Sequence, residues 1–429
     1  MLADHIERAF AEHYTRTAPD PDDWQLRMLR DKESTYEWDR EGSPTRDALE
    51  LAAGISGQVI DDVMEILSER YFDFDSAVMG EESEFDAETH YIQTPASSTI
   101  WEENWISFEN KMRTEARYFS REAADHLMEV FGGIDMLRTR KGLPLVVEAG
   151  PGQMIEVLFR ARVFQASDAL KEAICRPDMH LGPPPARAAS AGRMNARGIS
   201  VFYGATHREA ALAEVRPPVG SDVALAAFKI IRPLRLLDLS ALGDAFDGGS
   251  IFDPGLAKRL GRVAFLRTLS NKLTRPVMPD DQEFDYLPTQ AVSDFLATEN
   301  EPSLDGIIFR STQADKGENV VLFHKASRVK DTVLPEGTSL IANTACCDED
   351  GWYPDYSVIE EIPNPEDQAT ATIAQEHSQS SNANQKPRPV TLEVLPESLE
   401  VHHVNKVKVD CTTYPVDRSR RFRFNAVDF

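Results

Sequence analysis

The sequence predicts an α+β protein in which a helical N-terminal domain precedes a region of mixed strands and helices. Apolar residues recur at intervals of three and four in residues 46–70 and 105–139, which is typical of amphipathic helices. From about residue 146 the chain changes to short apolar runs separated by glycine and proline, which predicts strands. A chain of 429 residues is long enough for two or three folding units.

The two periodic stretches predict an all-helical domain over residues 1–142. The first stretch reads as helix from residue 46 to residue 70. The second is expected to stop at Gly132 and Gly133, because glycine commonly follows the last turn of a helix. The run LPLVVEAG then predicts a strand, and we place the start of the next domain at residue 143.

One helix is predicted among the strands of residues 143–362. Thr206 and Glu209 fit a capping box, in which the threonine oxygen accepts an early backbone N–H and the glutamate reaches back. Pro217 and Pro218 forbid continuation of this helix beyond Arg216. The runs VFYGA, VALAAFKI and LRLLDL predict strands on either side of it.

The C-terminal part of the chain begins with a predicted linker or long surface loop. Residues 363–389 lack an aromatic residue and are rich in Pro, Gln, Asn and Ser, so they bury too little apolar surface to offset ordering entropy. Residues 390–429 contain alternating runs that predict a β-rich segment. These strands either complete the preceding sheet or form a small appendage.

Composition and charge exclude several classes of protein. With 41% hydrophobic and 27% charged residues the chain is typical of globular proteins, and no stretch reaches the roughly 18 apolar residues of a membrane span. The first twenty residues contain no signal-peptide core, so a cytoplasmic location is expected. A formal net charge of −25 argues against nucleic acid as a partner. The four cysteines form no CxxC pair, and no metal site is expected.

An ordered set of polar residues carries the functional prediction. Gly192, Arg193, Met194 and Asn195 make a polar loop that leads into a strand ending at Tyr203. The helix that follows presents Glu214, and Ser311 comes just after a later apolar strand. Each of these residues alone is common in surfaces and cores, but their order and chemistry together indicate one site.

These motifs resemble the RES domain family, which is named for its arginine, glutamate and serine. Members carry a GRxN-like loop, a tyrosine closing the next strand, an AxxE helix and a late strand followed by serine. Here these stand as GRMN, FYGA, ALAEV and FRS, and the resemblance runs from about residue 155 to residue 330. Many members have Gly-Gly-Arg-Trp-Asn where this chain has Ala191 before Gly192 and Met194 in place of the tryptophan.

The resemblance implies an ADP-ribosyltransferase-like fold and an enzyme that cleaves the nicotinamide–ribose bond of NAD. NAD is then a substrate rather than a bound cofactor, and the bond is broken by hydrolysis or, with phosphate as co-substrate, by phosphorolysis. The implied catalytic residues are Arg193, Tyr203, Glu214 and Ser311. A carboxylate such as Glu214 suits this chemistry, because cleavage of an N-glycosidic bond develops positive charge on the ribose.

The other implied roles concern binding of the dinucleotide. Arg193 would hold the pyrophosphate, Tyr203 would stack on nicotinamide or close the pocket, and Ser311 would orient the nicotinamide ribose or amide. The family has a second phosphate-contacting arginine, which Arg160 or Arg162 supplies, with Arg160 favoured. Asn195 of the GRMN loop is the further substrate-binding candidate.

The resemblance also implies a toxin under control. A separate antitoxin or immunity protein would block the pocket, or the helical domain or C-terminal segment would do so within the chain. The alternatives are an ADP-ribosyltransferase that modifies a protein acceptor and a binding module with a degenerate site.

The helical stretch supplies one more alternative. Arg121 and His126 match the RxxxxH spacing of HEPN-family ribonucleases, and the stretch resembles the HEPN-like domain found before some RES domains. A nuclease needs basic surface to collect RNA, which this acidic chain lacks. We therefore expect the helical domain to have a structural role, to form a homo-oligomer or to regulate the protein.

Overall fold

The computed structural model describes residues 1–115, 120–348, 351–363, 388–408 and 410–420. Helices dominate as far as residue 131, and strands dominate from residue 146. The helices are α1 (Leu2–His13), α2 (Asp23–Arg30), α3 (Thr45–Ala53), α4 (Gln58–Tyr71), α5 (Phe74–Met79), α6 (Thr99–Thr114), α7 (Arg121–Phe131), α8 (Ser167–Cys175), α9 (Pro177–His180), α10 (Arg208–Glu214), α11 (Leu256–Thr274), α12 (Gln282–Asp285) and α13 (Leu287–Thr298).

The strands differ widely in length. Several pair over only two or three residues, whereas those of the main sheet reach twelve. They are β1 (Tyr14–Arg16), β2 (Ser43–Pro44), β3 (His90–Gln93), β4 (Arg138–Thr139), β5 (Val146–Ala149), β6 (Val157–Phe164), β7 (Phe202–Ala205), β8 (Asp222–Ile230), β9 (Leu234–Asp238), β10 (Ala245–Phe246), β11 (Gly306–Arg310), β12 (Glu318–Leu322), β13 (Ser339–Asn343), β14 (Cys346–Asp348), β15 (Gly351–Tyr353), β16 (Ser357–Glu361) and β17 (Leu392–His403).

The sequence predicted an all-helical N-terminal region, but the structure also contains strands there. Strands β1, β3 and β2 form a small antiparallel sheet, which packs with α1, α3 and α4 around a core that includes Phe10, Leu49 and Ile60. These strands are two to four residues long, too short to show an alternating pattern in the sequence.

Residues 46–70 form two helices rather than the one predicted. Helix α3 ends at Ala53, and Gly54 follows it in the left-handed conformation with φ of +65°. Gly57 also has a positive φ, of +72°, and α4 begins at the next residue. The apolar spacing continues across this turn, so periodicity alone does not reveal the break.

The boundary predicted at residue 142 does not separate two cores. Helices α6 and α7 pack against α11 and α13 in one apolar cluster that includes Trp105, Phe131, Phe265 and Phe295. Residues 99–134 thus share a core with the helices of the later region, while residues 1–91 contribute a core of their own. The helical spacing in 105–139 corresponds to α6 and α7, and α7 ends at Phe131, next to the predicted stop at Gly132. Residues 116–119 lie outside the described residues.

Eight of the described strands form one mixed sheet in the order β17-β8-β6-β7-β12-β11-β9-β5. Neighbours are antiparallel except β11 and β9, which are parallel. Strand β17 pairs with β8 at the sheet edge, so the described part of the C-terminal segment completes the main sheet rather than forming an appendage. Most of the predicted linker, residues 364–387, lies outside the described residues.

The middle of this sheet is open. Strand β6 pairs with β8 over its whole length, but it pairs with β7 only where Phe159 faces Ala205. Beyond that pair the two strands diverge, and residues 159–161 of β6 and 203–205 of β7 line a cavity. This divergence positions the candidate site.

Helix α10 lies beside this opening, and its N-terminus is not the predicted capping box. His207 occupies the N-cap position, without a side-chain cap. The Thr206 hydroxyl instead accepts the backbone N–H of Glu318, at 3.0 Å, on the neighbouring strand β12. A tertiary hydrogen bond therefore replaces the local one that the sequence suggested.

No helix in the described part of the chain is long and apolar enough to cross a membrane.

We predict that Trp105→Ala lowers the free energy of unfolding by about 3–5 kcal/mol, because Trp105 is 1% exposed at the centre of the shared core. Trp24, which is 59% exposed, offers a matched control, and Trp24→Ala should cost about 0.5 kcal/mol or less. Urea denaturation measures both. Equal effects of the two substitutions would contradict a shared core around Trp105.

Candidate active site

A cavity of about 710 Å³ occupies the gap between β6 and β7. This volume lies within the range of roughly 300–1,000 Å³ that holds cofactor-sized and drug-sized ligands. Its described lining comes from the main sheet, the GRMN loop, α10 and the segment between α11 and α13. The lining residues are Phe159, Arg160, Ala161, Ala191, Gly192, Arg193, Met194, Tyr203, Gly204, Ala205, Ala211, Glu214, Val215, Arg216, Thr274, Pro276, Val277, Met278, Gln282, Tyr286, Phe309, Thr312 and Asn319.

The GRMN loop is a tight turn that helix α13 holds in place. The backbone N–H of Gly192 donates to the carbonyl of Asn195, which closes the turn. Thr289 and Gln290 of α13 donate side-chain hydrogen bonds to the carbonyls of Arg193 and Gly192, at 2.5 and 2.8 Å. Met194, where many family members have tryptophan, is 3% exposed and packs into the shared core.

Gly192 is required by close approach rather than by its backbone angle. A Cβ atom built at this position would lie 2.6 Å from the Asn195 side-chain oxygen and 2.7 Å from the Tyr203 hydroxyl. Both atoms are fixed by hydrogen bonds, so neither has room to yield. The glycine of the motif therefore leaves space for the Asn195–Tyr203 pair.

Asn195 does not line the cavity, although the sequence suggested that it binds substrate. It is 4% exposed, and its amide nitrogen lies within hydrogen-bond distance of three backbone carbonyls in the surrounding loop. Its amide oxygen accepts the Tyr203 hydroxyl at 2.9 Å. With its hydrogen-bonding capacity used inside the protein, Asn195 positions the loop and Tyr203.

Tyr203 lies in the cavity wall and is 37% exposed toward it. Its hydroxyl is held at one end, where it donates to Asn195 and accepts the Met194 backbone N–H at 3.1 Å. Protein atoms crowd the hydroxyl, and this burial raises the pKa of Tyr203 to about 12. The ring is thus a fixed aromatic surface that stays uncharged at neutral pH.

Arg193 lines the cavity with part of its guanidinium anchored. One nitrogen, Nη1, donates to the carbonyl of Leu273 at the end of α11, at 3.0 Å. The guanidinium carbon lies 5.2 Å from the centre of the Tyr286 ring, a cation–π contact. A guanidinium has five N–H donors, so donors remain for an anionic ligand.

The structure places Arg160 in the cavity and Arg162 outside it. Arg160 lies 5.0 Å over the Phe202 ring, and its Nη1 is buried without a hydrogen-bond partner among the described residues. Burial lowers its pKa to about 10, with Arg162 adding to the shift, so it is still charged at neutral pH. Arg162 is exposed and donates to the carbonyl of His180 at 2.8 Å. An unpaired buried cation is the arrangement that a bound anion would complete.

Glu214 ends helix α10 and is fixed by two neutral donors. Its Oε1 accepts the Ser311 hydroxyl at 2.9 Å and the Asn319 amide at 2.7 Å. Within the described residues, Oε2 accepts no hydrogen bond and Glu214 forms no ion pair, although three arginines line the same cavity. The carboxylate is therefore oriented without being neutralised by a salt bridge.

Ser311 and Asn319 both hold the carboxylate of Glu214, a role that the sequence analysis assigned to neither residue. The sequence suggested that Ser311 contacts the nicotinamide ribose, but it does not line the cavity and its single O–H points to Glu214. Asn319, which sequence reasoning missed, is 8% exposed and lines the cavity beside Glu214. The available signal was a lone amide within the apolar strand ENVVL.

The charge of the cavity is opposite to that of the chain. Its charged lining residues in the described chain are Arg160, Arg193, Arg216 and Glu214, a local balance of +2 in a protein with a net charge of −25. Such a concentration of guanidinium groups favours phosphate groups. Among the described residues, no group of three or more His, Cys, Asp or Glu side chains is arranged to hold a metal ion.

Arg121 and His126 do not form a joint site. Five residues along a helix correspond to about 140° of rotation, so the two side chains leave α7 in different directions. His126 packs against the rings of Trp105 and Phe108, and burial lowers its pKa, while Arg121 is exposed. This geometry gives no support to the ribonuclease alternative. Homo-oligomer formation through the helical region stays a prediction.

We predict that Asn195→Ala lowers the free energy of unfolding by about 1–3 kcal/mol, because several buried groups lose their partner. Asn343→Ala is a matched control, since Asn343 is exposed and hydrogen-bonds only to Ser357 among the described residues. It should change the free energy by about 0.5 kcal/mol or less. Denaturant titration compares the two, and a neutral Asn195→Ala would rule out the positioning role.

We also predict that Tyr203→Phe removes a group that titrates near pH 12. The raised pKa means that folded protein keeps a proton which the unfolded chain loses near pH 10. The stabilisation is fully present below pH 10 and is lost as the pH rises through 12. Absorbance at 295 nm follows the ionisation, and Tyr71, whose hydrogen bond to Glu7 also raises its pKa to about 12, is an internal reference. An unchanged high-pH titration would contradict the assignment.

Comparison with protein families gives a match over the part of the chain that contains this cavity. A family model described as the RES domain matches residues 157–340. No curated protein and no solved structure matches the chain. RES domains are generally associated with NAD-related toxin activity. The chain therefore carries a RES domain at residues 157–340, which contains all the cavity-lining residues named above.

Proposed function

We propose that the protein degrades NAD by cleaving its nicotinamide–ribose bond, with water or phosphate as the acceptor. The observation that carries this proposal is the oriented carboxylate of Glu214 in a cavity whose other charged lining residues are arginines. The RES domain supports the choice of NAD as substrate. We further propose that the split sheet is an ADP-ribosyltransferase-like arrangement, with the dinucleotide between the diverging strands.

The charges of NAD complement those of the cavity. The nicotinamide ring carries a positive charge and the pyrophosphate carries two negative charges. With the pyrophosphate between Arg160 and Arg193, the nicotinamide ribose would lie toward Glu214, and the fixed ring of Tyr203 would offer a stacking surface. Arg160 and Arg193 match the two negative charges of the pyrophosphate, and the carboxylate of Glu214 matches the positive charge of nicotinamide.

The reaction then follows from charge development at the ribose. The bond between the ribose C1′ and the nicotinamide nitrogen breaks, and its electron pair leaves with nicotinamide, which becomes neutral. The ribose gains oxocarbenium character, which the carboxylate of Glu214 stabilises more strongly than the ground state. Water attacks C1′ and loses a proton to Glu214 or solvent, giving ADP-ribose, or phosphate attacks and gives phosphorylated ADP-ribose.

Serine and asparagine are suitable partners for this carboxylate. They orient Oε1 through neutral hydrogen bonds, whereas an arginine partner would offset the charge that stabilises the transition state. Preorganised charge of this kind costs no reorganisation at the moment of reaction. Ser311 and Asn319 therefore act as positioning residues.

Consumption of NAD would harm the cell that makes the protein, so we propose that it acts as a toxin held by an antitoxin or immunity protein. The cavity lining in the described chain runs from Phe159 to Asn319. The described residues before position 142 and after position 388 contribute nothing to it. This favours a separate partner over a cover supplied by the helical region.

We expect purified protein to release nicotinamide from NAD, and Glu214→Gln to lower kcat by about 10²–10³-fold, because glutamine keeps the shape and loses the charge. Chromatography with and without phosphate identifies the acceptor from the ribose product. Radiolabel on protein instead would indicate an ADP-ribosyltransferase.

Arg160→Gln should lower kcat/KM by about 10- to 100-fold through lost phosphate binding. Arg162→Gln is its matched control, because the two arginines lie two residues apart on one strand and only Arg160 lines the cavity. Equal losses in both variants would contradict the assignment.

The proposed function would be overturned if the wild type, purified without a bound partner protein, consumed no NAD either with or without phosphate.

A further inference from the structure

Arg216 stands out in the backbone of the described chain. It lies two residues after the end of α10 and has φ of +44°. Phe85 is the other non-glycine residue with a positive φ among those described. The left-handed region is unfavourable for side chains with a Cβ atom, so a residue held there usually has a structural or functional reason.

The sequence around Arg216 makes this conformation more unfavourable still. Pro217 follows it, and a residue before proline is driven toward extended backbone. The position after a helix C-cap is also the one where glycine is most favoured. Val215 is the C-cap of α10, so Arg216 occupies a glycine position without being glycine.

The side chain at this position reaches a useful place. Arg216 lines the same cavity as Glu214. Among the described residues it forms no ion pair and no side-chain hydrogen bond, whereas Arg193 is anchored to Leu273. The guanidinium of Arg216 is therefore available to a ligand.

We propose that Arg216 binds the phosphate-bearing part of the substrate and selects a nicotinamide dinucleotide over nicotinamide riboside. This inference rests on the proposed function. Arg160 and Arg193 already match the two negative charges of the pyrophosphate, but Glu214 in the same cavity repels them. A third guanidinium beside that carboxylate offsets the repulsion. The unfavourable backbone is kept because it directs this third guanidinium into the cavity beside the carboxylate.

The same chemistry could serve a free phosphate ion that acts as acceptor. The two sources separate kinetically. If Arg216 contacts the dinucleotide, its loss raises the KM for NAD whether or not phosphate is present. If it contacts free phosphate, its loss raises the KM for phosphate and leaves the KM for NAD unchanged.

The test compares Arg216→Asn with wild type, because asparagine tolerates the left-handed region and carries no charge. Arg187→Asn is the matched control, an exposed arginine outside the cavity. With NAD as substrate we expect the KM of Arg216→Asn to rise about 10- to 100-fold while kcat stays within about threefold. With nicotinamide riboside, which has no phosphate, kcat/KM should be unchanged.

Arg216→Gly separates the role of the side chain from that of the backbone. Arg216→Gly should melt at the same temperature as wild type or higher, since glycine relieves the backbone, and it should show the same loss of NAD affinity. Equal losses on NAD and on nicotinamide riboside would reduce Arg216 to a structural role. A markedly lower melting temperature of Arg216→Gly would overturn the argument from backbone strain.

Binding of ADP-ribose tests the phosphate contact of Arg216 independently of whether the protein cleaves NAD. If the wild type consumes no NAD, calorimetry with ADP-ribose tests the phosphate contact directly. Binding by wild type that is weakened in Arg216→Asn but not in Arg187→Asn would support the contact even though the reaction was wrong. Equal binding by all three proteins would overturn it.

Discussion

The single backbone pairing between β6 and β7 is the constraint on which the rest of the site depends. A sheet normally satisfies its backbone groups by continuous pairing, but here Phe159 and Ala205 mark the only paired position of the two strands. The opening that results brings two strands of side chains to one cavity. The GRMN turn and its hydrogen bonds fix one wall of this opening, and Arg160, Arg193, Arg216 and Glu214 supply its charged groups.

The GRMN turn is the chief element that holds the shape. Helix α13 anchors it from one side by hydrogen bonds to its carbonyls, and the Asn195–Tyr203 pair fixes it from the other. The motif is therefore as much a packing device as a binding one. Its arginine is the one charged side chain of the four and lines the cavity, while Gly192 leaves space for the Asn195–Tyr203 pair and Met194 and Asn195 are buried.

The helical N-terminal region contributes to the site indirectly. Helices α6 and α7 support α11 and α13 through the shared core, and the end of α11 provides the carbonyl that anchors Arg193. A cavity rich in guanidinium groups is unfavourable without an anion, because like charges repel. An extended apolar core beneath it stabilises the arrangement in the absence of ligand.

The sequence by itself determined the local features of this protein. Periodicity located the helices approximately, and the ordered motifs identified Arg193, Tyr203 and Glu214, because their order and residue types are visible along the chain. Periodicity did not reveal short strands such as Tyr14–Arg16 or the helix break at Gly54, since two or three residues show no period.

Only the tertiary structure decided which distant groups meet. Asn319 lies 105 residues from the glutamate it holds, and nothing local marks that pairing. The sequence could not distinguish Arg160 from Arg162 as the phosphate-binding candidate. The structure does so, because β6 and β7 diverge and only Arg160 lines the cavity. The capping box at Thr206 failed for the same reason, because a hydrogen bond to the neighbouring strand replaced the local one. Residue chemistry is written in the sequence, but partners depend on how strands and helices pack.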